Sequence, residues 1–251
     1  MTMLLPFINK PFNGVIWRLE IDELSDTIFL EIRNAEDKIV SFSSVSLSTG
    51  KLNFTGFTTP ERWLTGMEAA YDGVLLLHHY QTEQSPVHKA VVAVNNEGEV
   101  SWSNYTYAFD HLSVNGPVVY NAQIEPKKLF LADIKTGSSL RSYEPSIDAD
   151  PEFPIQMPQI VPPSYLTITF PAEPYGNNIH YLEYNNFRIV SLHSLNAGQL
   201  KQHLYIMDDA NVVYEDLLNA DIQKMQPESF TLYKNLLIYI KNKSELMVVN
   251  L

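Results

Sequence analysis

The chain has 251 residues, 45% of them hydrophobic and 18% charged, which is enough apolar material for a buried core. Its formal net charge of -12 repels phosphate groups, so we expect neither nucleic acid nor an anionic membrane as a partner. The chain contains no cysteine, which excludes disulfides, thiolate catalysis and cysteine-ligated metals.

The N-terminal stretch MTMLLPFINKPF lacks the basic start and the long apolar run of a secretory signal. No window approaches the roughly 18 uninterrupted apolar residues that a membrane-spanning helix needs. We therefore expect a soluble, cytoplasmic protein.

Two kinds of tight turn alternate along the chain, each between runs of β-prone residues. In chain order they fall at Ser25-Asp26, Gly50, Asp72-Gly73, Gly98, Asn115-Gly116, Gly137, Asn185-Asn186, residues 208–211 and Lys234-Asn235. Glycine, asparagine and aspartate before apolar runs are strong hairpin signals, because they tolerate positive φ. The two kinds of turn lie 21 to 25 residues apart where they pair, which indicates a repeated four-stranded unit.

Five such units fit the chain, and the last stops after its third strand. The stretch FNGVIWRLEI, residues 12–21, could supply the missing strand from the other end of the chain. Four-stranded units repeating every 40–50 residues are typical of β-propeller blades. We therefore predict an all-β fold: one β-propeller domain over residues 1–251, with five blades and a ring closed by the N-terminal strand. Six blades and a large β-sandwich are the alternatives.

The repeats also carry a family resemblance. The strings LADIKTGSSLRSY and VAVNNEGEVSW resemble the degenerate blade repeats of quinoprotein-type and WD-like propellers, and the chain is similar to uncharacterised bacterial propeller proteins. The resemblance implies a propeller fold but no particular activity. The resemblance does not imply a quinone dehydrogenase. Those enzymes are similar to larger propellers with a disulfide between adjacent cysteines, and this chain has no cysteine.

One connection between units is unusually long. Residues 144–177, here called the Pro-rich segment, contain eight of the 15 prolines, so most of the segment cannot form a central strand. Within it, YLTITF (165–170) could form an extra edge strand. The segment is either a semi-rigid lid or partner-binding arm, or an ordered insertion packed on the outside of the domain.

Candidate site residues come from the innermost strand of each unit, which would line the channel. Counting six residues back from the last residue of the turns at Asp26, Gly73, Gly116, Asn186 and Asn235, the sequence gives the column Glu20, Met67, Asp110, His180 and Ser229. Glu20, Asp110 and His180 could converge on a metal, a sugar or a water cluster, with Ser229 beside them. A one-residue slip would replace the column with Leu19, Gly66, Phe109, Ile179 and Glu228. The alternative is a set of scattered polar residues near a solvated opening.

The sequence contains no recognised metal, nucleophile or phosphate-binding motif, so we predict no metal and no cofactor. The histidines are not spaced as in any recognised metal-binding motif. The adjacent side chains of His78 and His79 should face opposite sides of a strand.

Two functions compete. The first is a non-enzymatic binding or scaffolding propeller that contacts a protein or small ligand through its loops and the Pro-rich segment. The second is a glycoside hydrolase, which needs two carboxyl groups about 5–10 Å apart. Glu20 and Asp110 are its first candidate catalytic pair, with Glu68, Glu183 and Glu228 in reserve.

Overall fold

A computed structural model of the protein describes residues 3–209 and 211–251. This part of the chain consists of β-strands, loops and two short 3₁₀ helices, Arg62–Leu64 and Pro163–Tyr165, with no α-helix among the residues described. The prediction of an all-β chain is confirmed. No helix within these residues has the length and apolar character that crossing a bilayer requires.

The strands are named in chain order. They are β1 (Pro6–Pro11), β2 (Val15–Asp22), β3 (Thr27–Asn34), β4 (Ile39–Ser46), β5 (Leu52–Phe57), β6 (Thr65–Tyr71), β7 (Val74–Thr82), β8 (Ser85–Val94), β9 (Val100–Asn104), β10 (Tyr107–Ser113), β11 (Gly116–Asn121), β12 (Leu129–Ala132), β13 (Ser139–Ser142), β14 (Ile155–Gln156), β15 (Gln159–Val161), β16 (Ile179–Tyr184), β17 (Phe187–Asn196), β18 (Gln199–Asp208), β19 (Asn211–Ile222), β20 (Thr231–Tyr233), β21 (Leu236–Lys241) and β22 (Glu245–Asn250).

The strands form two compact units. The first unit is Asn13–Phe153, and the second is Pro154–Leu251 together with the described part of Met1–Phe12. The first unit contains three antiparallel four-stranded sheets, β2–β5, β6–β9 and β10–β13, each built from consecutive strands. The predicted hairpins and four-stranded sheets of this part of the chain are confirmed.

Successive sheets of the first unit meet where an aromatic ring covers a turn glycine. Phe54 of β5 lies against Gly98, in the turn between β8 and β9, and Trp102 of β9 lies against Gly137, in the turn between β12 and β13. A Cβ atom at Gly137 would lie 2.6 Å from the Trp102 ring. The Trp102 indole N–H also donates to the carbonyl of Ile134 at 2.8 Å. Each of these aromatics therefore joins its own sheet to the next one.

The first strand of each sheet in this unit contains a bulge. The register shifts between Ile16 and Arg18 in β2, between Met67 and Ala69 in β6, and between Phe109 and His111 in β10. A bulge inserts one extra residue and re-aims its side chain. The extra residues are Trp17, Glu68 and Asp110.

The second unit contains two antiparallel sheets, ordered β1-β22-β21-β20-β14 and β15-β16-β17-β18-β19. The turn predicted at 208–211 includes residue 210, which lies outside the described residues, but β18 and β19 on its two sides are paired. In this unit the apolar residues Leu204, Ile206, Leu232 and Leu237 pack into one buried cluster.

An N-terminal strand pairs with the C-terminal strand β22, but the residues differ from those predicted. Pro6–Pro11 forms the pairing strand, with Ile8 buried opposite Val248, whereas most of residues 12–21 belongs to β2. The break falls at Gly14, whose φ of +138° ends one strand before the next begins. The prediction of residues 12–21 as the closing strand was therefore wrong by about one strand.

The Pro-rich segment is divided between the two units, with residues 144–153 in the first and 154–177 in the second. Its second part adds the short edge strand β14 to β20 and the short edge strand β15 to β16. The predicted strand at 165–170 does not form, because Tyr165 ends a 3₁₀ helix and the residues after it are irregular. Leu166, Ile168 and Phe170 instead pack against the buried cluster of the β15–β19 sheet.

We predict that Gly137→Ala destabilises the protein by about 1–3 kcal/mol more than Gly56→Ala does, because only the first substitution drives a methyl group into an aromatic ring. Both glycines have a φ of +72°, and nothing lies within 4 Å of a Cβ at Gly56. Gly56→Ala therefore measures the backbone cost alone. Chemical unfolding monitored by tryptophan fluorescence gives the two free energies. Equal losses would show that the ring contact does not limit packing at residue 137.

Candidate functional site

Glu20, the first candidate from the sequence, lies in β2 and orients an arginine. Its Oε1 atom is 2.5 Å from Arg18 Nη2, and its side chain is only partly exposed. Burial raises the pKa of Glu20 and outweighs the opposite effect of the Arg18 charge. Arg18 in turn donates to the carbonyls of Met67 at 2.7 Å and Glu68 at 2.9 Å. Glu20 and Met67 of the predicted column are thus brought together through Arg18.

These contacts provide hydrogen-bond partners for the backbone groups at the bulge of β6. The carbonyls of Met67 and Glu68 accept from Arg18, and the Met67 N–H donates to Glu31 Oε2 at 2.9 Å. Glu31 is 1% exposed and pairs with Arg33 at 2.6 Å. Backbone groups that leave a sheet ladder must find other partners, and these charged residues of the first sheet supply them. The bulge is therefore held in one conformation.

The bulge brings the Glu68 carboxylate close to two histidines, His78 on β7 and His88 on β8. Glu68 Oε1 is 3.2 Å from His78 Nδ1 and 2.8 Å from His88 Nδ1. One ligand atom from each of the three residues lies within 4.8 Å of the other two. The imidazole rings stack at a centroid separation of 3.6 Å with an interplanar angle of 5°. This cluster offers two nitrogens and one carboxylate oxygen, which is a donor set for a transition metal.

His78 is the buried member of the cluster. Its side chain is 3% exposed, and neither ring nitrogen has a hydrogen-bond partner. Its ring lies close to Gly66, where a Cβ would be 2.8 Å from Nε2, and the ring of Tyr80 is perpendicular to it at a centroid separation of 4.5 Å. Nδ1 is the nitrogen that lies beside Glu68. The side chain of His88 is 38% exposed and forms the solvent side of the cluster.

This cluster was not predicted from the sequence. The expectation that His78 and His79 face opposite sides is consistent with their contacts, because His79 Nε2 lies 3.3 Å from Glu61 rather than near Glu68. The pairing of Tyr80 with His88 across the β7–β8 hairpin places His88 close to His78. Hairpin register could have suggested the two histidines, but Glu68 depends on the bulge.

Asp110, the second predicted carboxylate, is the bulge residue of β10. It forms an ion pair with Lys127, and its Oδ2 atom is 2.7 Å from His111 Nδ1. Burial opposes ionisation, but the hydrogen bonds from Lys127 and His111 prevail and hold the pKa of Asp110 below its usual value. Asp110 and Glu20 lie in different sheets with different partners, so their contacts do not join them as a catalytic pair.

His180 and Ser229 lie in the second unit, near one irregular segment before β20. The ring of His180 donates from Nε2 to the carbonyl of Pro227 at 3.0 Å. Burial lowers the pKa of His180, and this hydrogen bond opposes the effect only in part. The Ser229 hydroxyl oxygen is buried without a hydrogen-bond partner. The structure thus brings these two predicted residues to the same segment.

Two further buried side chains hold the segment. His193 Nε2 accepts the Gln226 N–H at 3.0 Å, and the Gln202 side chain donates to the Glu228 carbonyl at 2.8 Å. Burial, with the neighbouring His180 and His203, lowers the pKa of His193 to about 4. A neutral imidazole is required here, because its lone pair accepts the backbone N–H. These contacts anchor the chain where it enters β20.

The geometry defines an all-β protein whose antiparallel sheets are built largely from consecutive strands, with a Glu-His-His cluster in the first unit. Residues 21–102 match a family described as a domain of unknown function (DUF4905). The matched residues run from the end of β2 to β9 and include Glu68, His78 and His88. No curated protein matches the chain.

We predict that the free energy of unfolding falls as the pH is lowered from about 6.5 to about 4, in part because of His193. Its pKa is lower in the folded protein than in the unfolded chain, so the unfolded chain binds the extra proton in this range. The slope from this one group is at most about 1.4 kcal/mol per pH unit. Urea unfolding of the native protein and His193→Gln at several pH values measures it. The variant should show the shallower slope, and parallel slopes would contradict the assignment.

Proposed function

We propose that the protein is a five-bladed β-propeller, one domain over residues 1–251, that acts as a non-enzymatic binding module. The proposal for the fold is supported by the run of antiparallel sheets made from consecutive strands. It is also supported by the pairing of β1 with β22, since the first strand of a propeller commonly completes its last blade. The resemblance of the turn repeats to quinoprotein-type and WD-like blades agrees with both.

The binding function rests on one observation, the exposed apolar side chains of residues 154–177. Met157 is 68% exposed, Ile160 62% and Tyr165 60%, although other apolar residues of the same stretch are packed. These three exposed apolar side chains fall within nine residues of one stretch, and grouped exposed apolar residues are typical of interaction sites. Prolines restrict the backbone around them, so less conformational entropy is lost when a partner binds.

The composition of residues 154–177 indicates the kind of partner. These residues carry one acidic side chain, Glu173, and no lysine, arginine or histidine. The four other acidic residues of the Pro-rich segment belong to the other unit, and one of them, Asp148, is paired with Arg141. We therefore propose a protein partner that binds mainly through an apolar contact surface.

The proposed single domain predicts a compact particle. For 251 residues folded as one domain, we expect a radius of gyration of about 18 Å. Small-angle X-ray scattering of the monodisperse monomer measures this value. A clearly larger radius, with a scattering profile typical of two bodies joined by a flexible link, would contradict the single propeller.

If residues 154–177 form the binding surface, substitutions there should abolish the binding of partner proteins, and substitutions elsewhere should not. We expect the native protein, immobilised in a lysate of its own cells, to retain proteins that the double variant Met157→Ser/Ile160→Thr does not retain. The matched control is Leu24→Ser/Leu140→Thr, which removes exposed apolar groups from the first unit. Mass spectrometry compares the retained proteins. If the Met157/Ile160 variant retains the same proteins as the control, residues 154–177 are not the binding surface.

A further inference from the structure

We propose that Glu68, His78 and His88 bind a divalent transition-metal ion, with Zn²⁺ as the best match to the donor set. The three ligands come from the adjacent strands β6, β7 and β8 of one sheet. The inference goes beyond the proposed binding function and does not depend on it, because the site lies wholly within the Asn13–Phe153 unit.

The spacing of the donor atoms suits such an ion. Zinc binds imidazole nitrogen and carboxylate oxygen at about 2.0–2.2 Å, so neighbouring ligand atoms of a tetrahedral centre lie about 3.3 Å apart. The Glu68 oxygen is 2.8 and 3.2 Å from the two histidine nitrogens, and all three ligand atoms lie within 4.8 Å of one another. Small rotations of the side chains therefore suffice to make room for the ion.

The two stacked imidazoles must open toward the ion. Their near-parallel planes direct the two Nδ1 lone pairs side by side rather than at one point. The χ2 torsion of histidine has a broad energy profile, so this rotation costs little. His88, at the exposed side of the cluster, has the room to make it.

The state of His78 is the strongest sign of a ligand. A buried polar atom without a partner costs free energy, and buried side chains nearly always find one. The hydrogen bond between His88 and Glu68 accounts for those two residues, whereas His78 Nδ1, although 3.2 Å from the same Glu68 oxygen, forms no aligned hydrogen bond, and neither does Nε2. An ion bound at Nδ1, the nitrogen on the Glu68 side of the ring, would give that nitrogen a partner.

The surrounding structure holds the ligands in place. Arg18 and Glu31 fix the bulge that carries Glu68. The Thr65 hydroxyl donates to the carbonyl of His78 at 3.1 Å, which ties β6 to β7 beside the site. Ligands on fixed strands need little reorganisation on binding, and partners of this kind raise metal affinity.

The donor set also selects the metal. Two imidazoles and one carboxylate favour Zn²⁺, Cu²⁺, Ni²⁺ or Co²⁺ over Mg²⁺ and Ca²⁺, which prefer oxygen ligands. Three protein ligands leave one position of a tetrahedral ion for water or for a donor atom of a bound molecule. His88 is the most exposed of the three ligands, so solvent reaches the cluster from its side.

The test is zinc binding by the full-length protein after chelator treatment and buffer exchange. We expect one equivalent of Zn²⁺ per chain in titrations against a chromophoric chelator, unaffected by excess Mg²⁺. At a free zinc concentration about 100-fold above Kd, the melting temperature should rise by about 5–10 °C. Visible absorption by Co²⁺ in place of zinc should report a four-coordinate site with nitrogen ligands.

Two variants and one control separate this site from non-specific binding. Glu68→Gln and His88→Gln should weaken zinc binding by at least about 10–100-fold, the range that loss of even an outer partner produces. His111→Gln removes a partly exposed histidine outside the cluster and should bind zinc like the native protein. His88 is the ligand of choice because its side chain is partly exposed, so its replacement should leave the fold intact by circular dichroism.

Two results would overturn the proposal. One is the absence of stoichiometric zinc binding by the folded native protein. The other is zinc binding by Glu68→Gln and His88→Gln that matches the native affinity. Neither result bears on the proposed partner-binding surface, which is tested separately with variants of Met157 and Ile160.

Discussion

The contact between an aromatic ring and a turn glycine of the next sheet is the constraint on which the Asn13–Phe153 unit depends. The glycine must adopt positive φ to close its hairpin, and it must also lack a Cβ so that the ring can approach. The contact of Phe54 with Gly98 links the first sheet to the second. Arg18 and Glu31 of the first sheet can then reach the backbone of β6, where they hold the bulge that presents Glu68. The packing of Phe54 on Gly98 thus brings together the two sheets whose side chains and backbone form the polar site around Glu68.

The bulges in the first strands of the three sheets each re-aim one polar or amphipathic side chain, three residues before the end of β6 and of β10 and five residues before the end of β2. Each bulged residue contacts a basic side chain: Trp17 lies under Arg33, Glu68 meets His88, and Asp110 meets Lys127. The repeated backbone irregularity is therefore structural, while the side chain at each bulge differs. Only in the second sheet does the neighbouring hairpin add a second histidine, and this makes the site there distinct from its two counterparts.

The hairpins and the four-stranded sheets were predictable because their signals are local: a turn residue with an alternating pattern of apolar and polar residues on either side. The cluster of Glu68, His78 and His88 was not predictable in this way. Counting back from a turn by alternation holds only for an uninterrupted strand, so the bulge of β6 put Met67 in the predicted column instead of Glu68. Glu20 was predicted as a possible ligand or catalyst, and in the structure it is the partner of Arg18. Where a bulge occurs depends on the partner strand, which the local pattern does not encode.

The two short strands of the Pro-rich segment have a consequence for how another protein could be recognised. β14 and β15 occupy the edges beside β20 and β16, so an incoming peptide cannot pair directly with β20 or β16 there. β14 and β15 are short, and the prolines at 154, 158 and 162 that flank them have no N–H to offer. Recognition by strand addition, which draws its affinity from main-chain hydrogen bonds, is therefore disfavoured along this stretch. Specificity must come from the shape and chemistry of side chains, which can change by single substitutions without altering the sheets beneath them.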